Sequence, residues 1–236
     1  FISNSAKGQT PGVKVMSSSL EVEQSLFSDQ YGDESAFFII SSKSKVVVSR
    51  SVFTRGRAIL GGVIALASNS EVKLDGCSIS DISSNEGGAI SIDYDSFMFL
   101  NNCSFTSVTS NEAGSVIVSW KSSITINDIR IQSFNTTAFY AEDSPSISVN
   151  RMTIRDGIAS EFTAAFISNC INFTLDNSLI ANNTATTSTA GVVLVNTRQS
   201  GASSMISGCE FVNNTSHAFT ALLVDMPKSQ YPIQDS

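Results

Sequence analysis

A figure of eight residues recurs along this chain at an almost constant distance. Its clearest copy is Val72-Lys73-Leu74-Asp75-Gly76-Cys77-Ser78-Ile79: an apolar pair, a two-residue break, and a second pair in the other phase. Copies end at Phe27, Phe53, Ile79, Phe105, Ile131, Ile154, Ile180 and Phe211. The step between them is constant except for a shorter one into Ile154 and a longer one into Phe211. A period of this size marks a repeat architecture, because one unit cannot bury its apolar side alone and must stack on its neighbours. Apolar alternation with period two marks a strand with one buried face. The break keeps both pairs on the same side, so the figure reads as two short strands around a tight corner. The first corner position holds Glu23, Ser49, Asp75, Asn101, Asn127, Asn150, Asp176 and Ser207. Asn and Asp tolerate left-handed backbone, which suits that position. Asn101, Asn127 and Asn150 are expected to form a hydrogen-bonded ladder there.

A third strand precedes each figure, as in Gly62-Val63-Ile64-Ala65-Leu66 and Gly88-Ala89-Ile90-Ser91-Ile92. Three strands per period, stacked side by side and parallel, predict an all-β fold, a right-handed parallel β-helix of about eight complete coils of roughly 26 residues. The hand follows from the crossover rule for parallel strands. Leu74, Leu100, Ile126, Val149, Leu175 and Ile206 are expected in one buried column. The unbroken period predicts a single domain over residues 1–226. It begins mid-repeat, because Phe1 stands one full period ahead of Phe27. Residues 227–236, around Pro227 and Pro232, read as an extension or linker. With no initiator Met, the chain reads as a segment of a longer protein.

Fourteen Lys and Arg against 21 Asp and Glu give a net charge of −7. Such a surface argues against nucleic acid as a partner. No run of 18 apolar residues is present, so no membrane-spanning helix is expected. Cys77, Cys103 and Cys209 share an inward register with Ser25, Ser51, Ile129, Met152 and Ser178. Two readings stay open: small buried residues, or a Cys77–Cys103 disulfide between neighbouring coils, which parallel Cβ vectors would strain. Cys170 stands apart. No Cys/His spacing points to zinc, and no metal or other cofactor is expected.

Gly-Gly-Ala-Ile at 87–90 and Gly-Gly-Val-Ile at 61–64 resemble the GGAI half of the repeat in polymorphic outer membrane proteins. The FxxN half is matched by Phe1–Asn4 and Phe211–Asn214, with Ile180–Asn183 close to it. The middle coils depart from it, with Gly56 and Val108 at the Asn position. The pattern is also similar to the pectin-lyase-like class and to β-helix repeat proteins of protists. The first resemblance implies a surface-exposed adhesin. The second implies a carbohydrate-active enzyme or a carbohydrate-binding module, with Asp, His or Arg clusters on the third-strand face.

The outward positions of that strand are read as Phe38, Ala65, Ser91, Ile117, Tyr140, Ile167, Leu194 and Leu223. None is a general acid or base, so no catalytic residue is expected and the chain is not read as an enzyme. His217 reads as a solvated loop residue. Glu86 and Glu112, one period apart, could stack and share a proton or cation, but most such glutamates are simply hydrated. Asp93 and Asp95 make a weak calcium candidate. Exposed aromatics for sugar binding would be Tyr140, Phe38 and Trp120, which look scattered. The mostly apolar stripe instead suggests a protein contact through Phe38, Ile117, Tyr140, Ile167, Leu194 and Leu223, with further copies of the chain as the first candidate partner. Glycosylation signals stand at Asn102, Asn135, Asn172, Asn182, Asn213 and Asn214, with Asn182 and Asn213 first among them. The reading is therefore an extracellular or cell-surface β-helix acting as an adhesive, structural or filament module.

Overall fold

In the computed structural model, residues 12–112, 114–160, 164–186, 193–196, 202–216 and 222–225 are described. Among them there is no helix. The third strands form one sheet of nine, paired in chain order from Val13–Met16 to Leu222–Asp225. The first and second strands form the other main sheet. In Ser123–Phe134 and Ser146–Arg155 the two run through the corner as single strands and tie both sets together. Every pairing is parallel and in register, as in Leu74 beside Leu100 beside Ile126. The chain is a β-solenoid of about six turns, from Val13 to Ala165, rather than eight. The last two coils pass through residues outside those described, including 187–192 and 217–221.

The core follows from the alternation. Leu74, Leu100, Ile126, Val149 and Leu175 form the expected column and are buried, while Ile206 at its end is only partly so. Phe27, Phe53, Ile79, Phe105, Ile131, Ile154 and Ile180 form a second column and Phe38, Ile64, Ile90, Ile117 and Phe139 a third. Like residues stack on like. Phe27 and Phe53 lie face to face with centroids 4.9 Å apart, and Phe37 and Phe38 meet them edge-on. Offset and edge-on ring pairs are favoured geometries.

The corners pose a harder problem, because backbone amides there face a dry interior and an unpaired one is costly. At the corner between third and first strands the solution is a serine column. The amides of Ser44, Ser70 and Ser96 donate to the Oγ atoms of Ser70, Ser96 and Ser122 one coil on, at 3.1, 3.3 and 3.2 Å. Each hydroxyl then donates to a nearby backbone carbonyl, as Ser96 does to Asp93 at 2.8 Å. Cys170 ends the column. At the next corner the amides of Ser25 and Met152 use Ser51 and Ser178 in the same way, both at 3.1 Å. Cys77, Cys103 and Cys209 take the serine position there, and the Cys103 and Cys209 thiols donate to carbonyls two positions back at 3.2 Å. All four cysteines are free, so the disulfide reading falls. Hydrogen bonding to Cys77, then burial, pushes the Cys103 thiol up.

The left-handed residue of this corner is the second, not the first: Gln24, Arg50, Gly76, Asn102, Asp128, Arg151, Asn177 and Gly208 all have φ between 46° and 63°. The first position instead links coils through side chains. Asn101 donates to Asp75 at 2.7 Å, Asn150 to Asn127 at 3.5 Å and Ser207 to Asp176 at 2.6 Å. The expected ladder thus exists as separate pairs.

Replacing Ser96 by Ala should strand the Ser70 amide in the core and cost about 1–3 kcal/mol in a denaturant melt. Leu100→Asp buries an unpaired charge between two coils and should cost about 3–5 kcal/mol or more. Equal, small losses for both would contradict this account of the interior.

Candidate contact surface on the third-strand face

The pairing of the third strands sets which residues point outward. Ile39, Ala65, Ser91, Val118, Tyr140, Phe166, Leu194 and Leu223 form one row. Three expected contact residues are therefore misplaced: Phe38, Ile117 and Ile167 point into the core and are fully buried. Their outward neighbours are Ile39, Val118 and Phe166. The cause is a slip of one position. The loop ahead of Ile117 is one position longer than in the coil before, so the partner of Ser91 is Val118. From Tyr140 an ordinary period reaches Phe166, its partner on the next coil. Leu194 and Leu223 do lie in the row, though their side chains are outside the described set.

Much of the row is not open to solvent. Ile39, Ser91 and Val118 are buried although they stand outside the core cluster. Over Ser91 and Val118 the loop before the strand folds back. A Cβ added at Gly87 would sit 3.0 Å from the Ser91 Cβ, and one at Gly114 would overlap the Val118 side chain. Both glycines have positive φ, at 63° and 68°. This is the structural reason for glycine at the start of these strands: left-handed backbone and no room for a side chain.

Beyond Val118 the cover ends and three rings stand together. Tyr140 and Phe166 stack with centroids 4.9 Å apart and planes 14° apart, and Trp120 lies 6.3 Å from Tyr140, tilted by 54°. All three are half-buried. Trp120 pairs with Glu142 across the strands, and the Tyr140 hydroxyl donates to Glu142 Oε2 at 3.0 Å. Burial first, and then this bond to a carboxylate, pushes the Tyr140 phenol up to about 12. Trp120 and Tyr140, which look scattered along the chain, are thus neighbours. Phe166 is missing from the stripe read in the sequence; the signal that finds it is the ordinary one-period step from Tyr140.

The other candidates separate. Glu86 and Glu112 lie on stacked loops held by Asn85, whose carbonyl accepts from the Glu112 amide at 2.9 Å and whose side chain accepts from Asn111 at 2.9 Å. No bond joins the two carboxylates among the described residues. Asp93 accepts from the Tyr94 amide at 2.8 Å, and burial pushes its carboxyl up. Among the described residues no group of three His, Cys, Asp or Glu side chains is placed to hold a metal ion, and no helix is long and apolar enough to cross a membrane. His217 lies outside the described residues.

Of the sequons, Asn102, Asn135, Asn172, Asn182 and Asn213 are exposed. Asn172 opens a first strand rather than lying in a loop. Asn135 is held as an acceptor by the Ser110 amide at 2.8 Å. Asn182 donates to Asp156 at 3.4 Å, and Asn214 donates to the Ile180 carbonyl at 2.8 Å. Asn183 and Asn214 are the Asn of the FxxN-like motif, and they cap the third corner: the amides of Gly157 and Asn183 donate to their side-chain oxygens, both at 3.0 Å. Set against family models, curated proteins and solved structures, the chain gives no match.

In a spectrophotometric titration the Tyr140 phenol should ionise near pH 12, above the ordinary tyrosine value. Its raised value favours the folded state below about pH 10. That contribution is lost as pH rises through 12. Tyr140→Phe should remove the late phase; a late phase that survives the change places the perturbed phenol elsewhere.

Proposed function

We propose that this chain is a non-enzymatic surface module: the structural or adhesive part of an extracellular protein, contacting further copies of itself through the outer third-strand face. The observation that carries the reading is the half-exposed ring cluster of Trp120, Tyr140 and Phe166, in a row whose Ser91 and Val118 are covered by the chain's own loops. Aromatic side chains of this kind are enriched at protein contacts and depleted on ordinary surface. The row continues to Leu194 and Leu223, which lengthens the apolar stripe in the sequence. The resemblance of residues 61–64 and 87–90 to the repeats of polymorphic outer membrane proteins points the same way, toward a cell-surface adhesin. N-glycans would fit such a location, with Asn102, Asn135, Asn172, Asn182 and Asn213 as exposed acceptors.

A pectin-lyase-like activity would need a charged cleft on this face. The row offers Ile39, Ala65, Ser91 and Val118, none of them charged, and Glu142 is bonded to Tyr140. Sugar stacking is also a poorer fit. Tyr140 and Phe166 each turn one face to the other, which takes that face away from a sugar.

Tyr140→Lys with Phe166→Lys tests the reading. The pair should keep the fold by circular dichroism and abolish concentration-dependent association in sedimentation. Wild-type protein that stays monomeric at high concentration, or a double variant that assembles unchanged, would sink the proposal of self-association.

A further inference from the structure

On the opposite wall, a polar groove of about 410 Å³ crosses the second strands of three neighbouring coils. Its lining side chains are Ser104, Thr106, Arg130, Gln132, Thr153 and Arg155. Phe105 and Ile131 also border it, but their side chains are buried in the core, so they contribute backbone alone. Strand register explains the grouping. Ser104, Arg130 and Thr153 form one outward row, and Thr106, Gln132 and Arg155 the next.

Charge sets this groove apart. The chain carries −7 overall, and three of the six arginines among the described residues are committed to close carboxylates, while Arg57, on an earlier coil, is exposed without one. Arg55 holds Asp29 through two bonds at 2.6 and 2.7 Å, and Arg151 holds Asp128 through two at 2.6 Å. Arg50 is paired with Glu23. In the groove the arrangement differs. Arg130 is exposed and has no acidic partner among the described residues. Arg155 donates to the neutral Gln132 Oε1 at 2.8 Å and makes one long ion pair, with Asp156 at 3.7 Å. Two guanidinium groups on adjacent coils thus stand among hydroxyls and an amide, with that single carboxylate beside one of them.

We propose that this groove binds an acidic polysaccharide, whose carboxylates pair with Arg130 and Arg155 and whose hydroxyls bond to Ser104, Thr106, Thr153 and Gln132. Guanidinium forks match carboxylates in a bidentate way. The hydroxyl-rich lining selects a sugar over an acidic peptide, because a peptide would bring apolar side chains and backbone amides with no matching pocket or strand edge. The lining also extends along the rod. Thr54, Ser80 and Thr106 continue the inner row over the preceding coils, and Ser78 and Ser104 the outer one. A linear polymer lying along the axis would therefore meet a polar side chain at each of these coils. The acidic surface elsewhere repels polyanions, which confines binding to this wall. The site is independent of the third-strand contact.

The test is calorimetric titration of the whole chain with oligogalacturonate. Three comparison probes are its fully methyl-esterified form, a sulfated oligosaccharide and a polyglutamate peptide. Oligogalacturonate should bind, more weakly as salt rises, and the esterified form should not. Arg130→Gln with Arg155→Gln should weaken binding by roughly tenfold, as two exposed ion pairs imply. Thr106→Glu, which adds a carboxylate to the groove, should do the same. Arg151→Gln, at a committed arginine, should change nothing, and circular dichroism should show all variants folded. Tighter binding of the sulfated probe with the same variant losses would keep the anionic-glycan site and name sulfate as its group. No binding of either anionic glycan, equal binding of the esterified form, tighter binding of polyglutamate, or folded arginine and Thr106 variants that bind like wild type would each overturn the proposal.

Discussion

At the three corners of this solenoid backbone amides point into an interior with no water to receive them. Apolar side chains can fill that interior but cannot accept a hydrogen bond. The columns of Ser44, Ser70, Ser96 and Ser122, of Ser51 and Ser178, and of Asn183 and Asn214 supply the acceptors one coil away. Each coil's corner is thus completed by the next coil. Stability is shared between neighbours rather than held within one unit, as in other stacked repeats.

The same constraint explains residues that would otherwise look functional. Cys77, Cys103 and Cys209 stand where other coils have Ser51 and Ser178, and the thiols of Cys103 and Cys209 donate to carbonyls two positions back, as the serine hydroxyls do. The Asn of the FxxN-like motif is a cap for buried amides, not a surface ligand. Glycine ahead of the third strand is demanded by loop closure over Ser91 and Val118. What remains for function is the outer surface, where residues are released from the packing of the core.

That surface has two regions of different chemistry. One is the ring cluster of Trp120, Tyr140 and Phe166, apolar with a single carboxylate bonded to it. The other is the guanidinium and hydroxyl groove around Arg130 and Arg155. They lie on different sheets, so a protein contact and a glycan contact need not compete. The two proposed contacts thus fall on separate sheets of one solenoid.

The period, the strand alternation and the buried columns can be read directly, because stacked identical coils force like residues into the same place: Leu74, Leu100 and Ile126 align by counting alone. The serine column of Ser18, Ser44, Ser70, Ser96 and Ser122 aligns by counting too, but isolated serines carry no apolar signal to mark it. Counting fails where the loops change length. One extra position before Ile117 moves Val118 outward and Ile117 inward, and no local preference separates two β-branched apolar residues. Loop cover over Ser91 and Val118, and the meeting of Trp120 with Tyr140 and Phe166, depend on how the chain returns to the same wall after a full turn. The groove depends on it too. Arg130 and Arg155 are far apart along the chain, and nothing in their local sequence separates them from its other arginines. It is the register between coils that sets them beside the hydroxyls of Ser104 and Thr106.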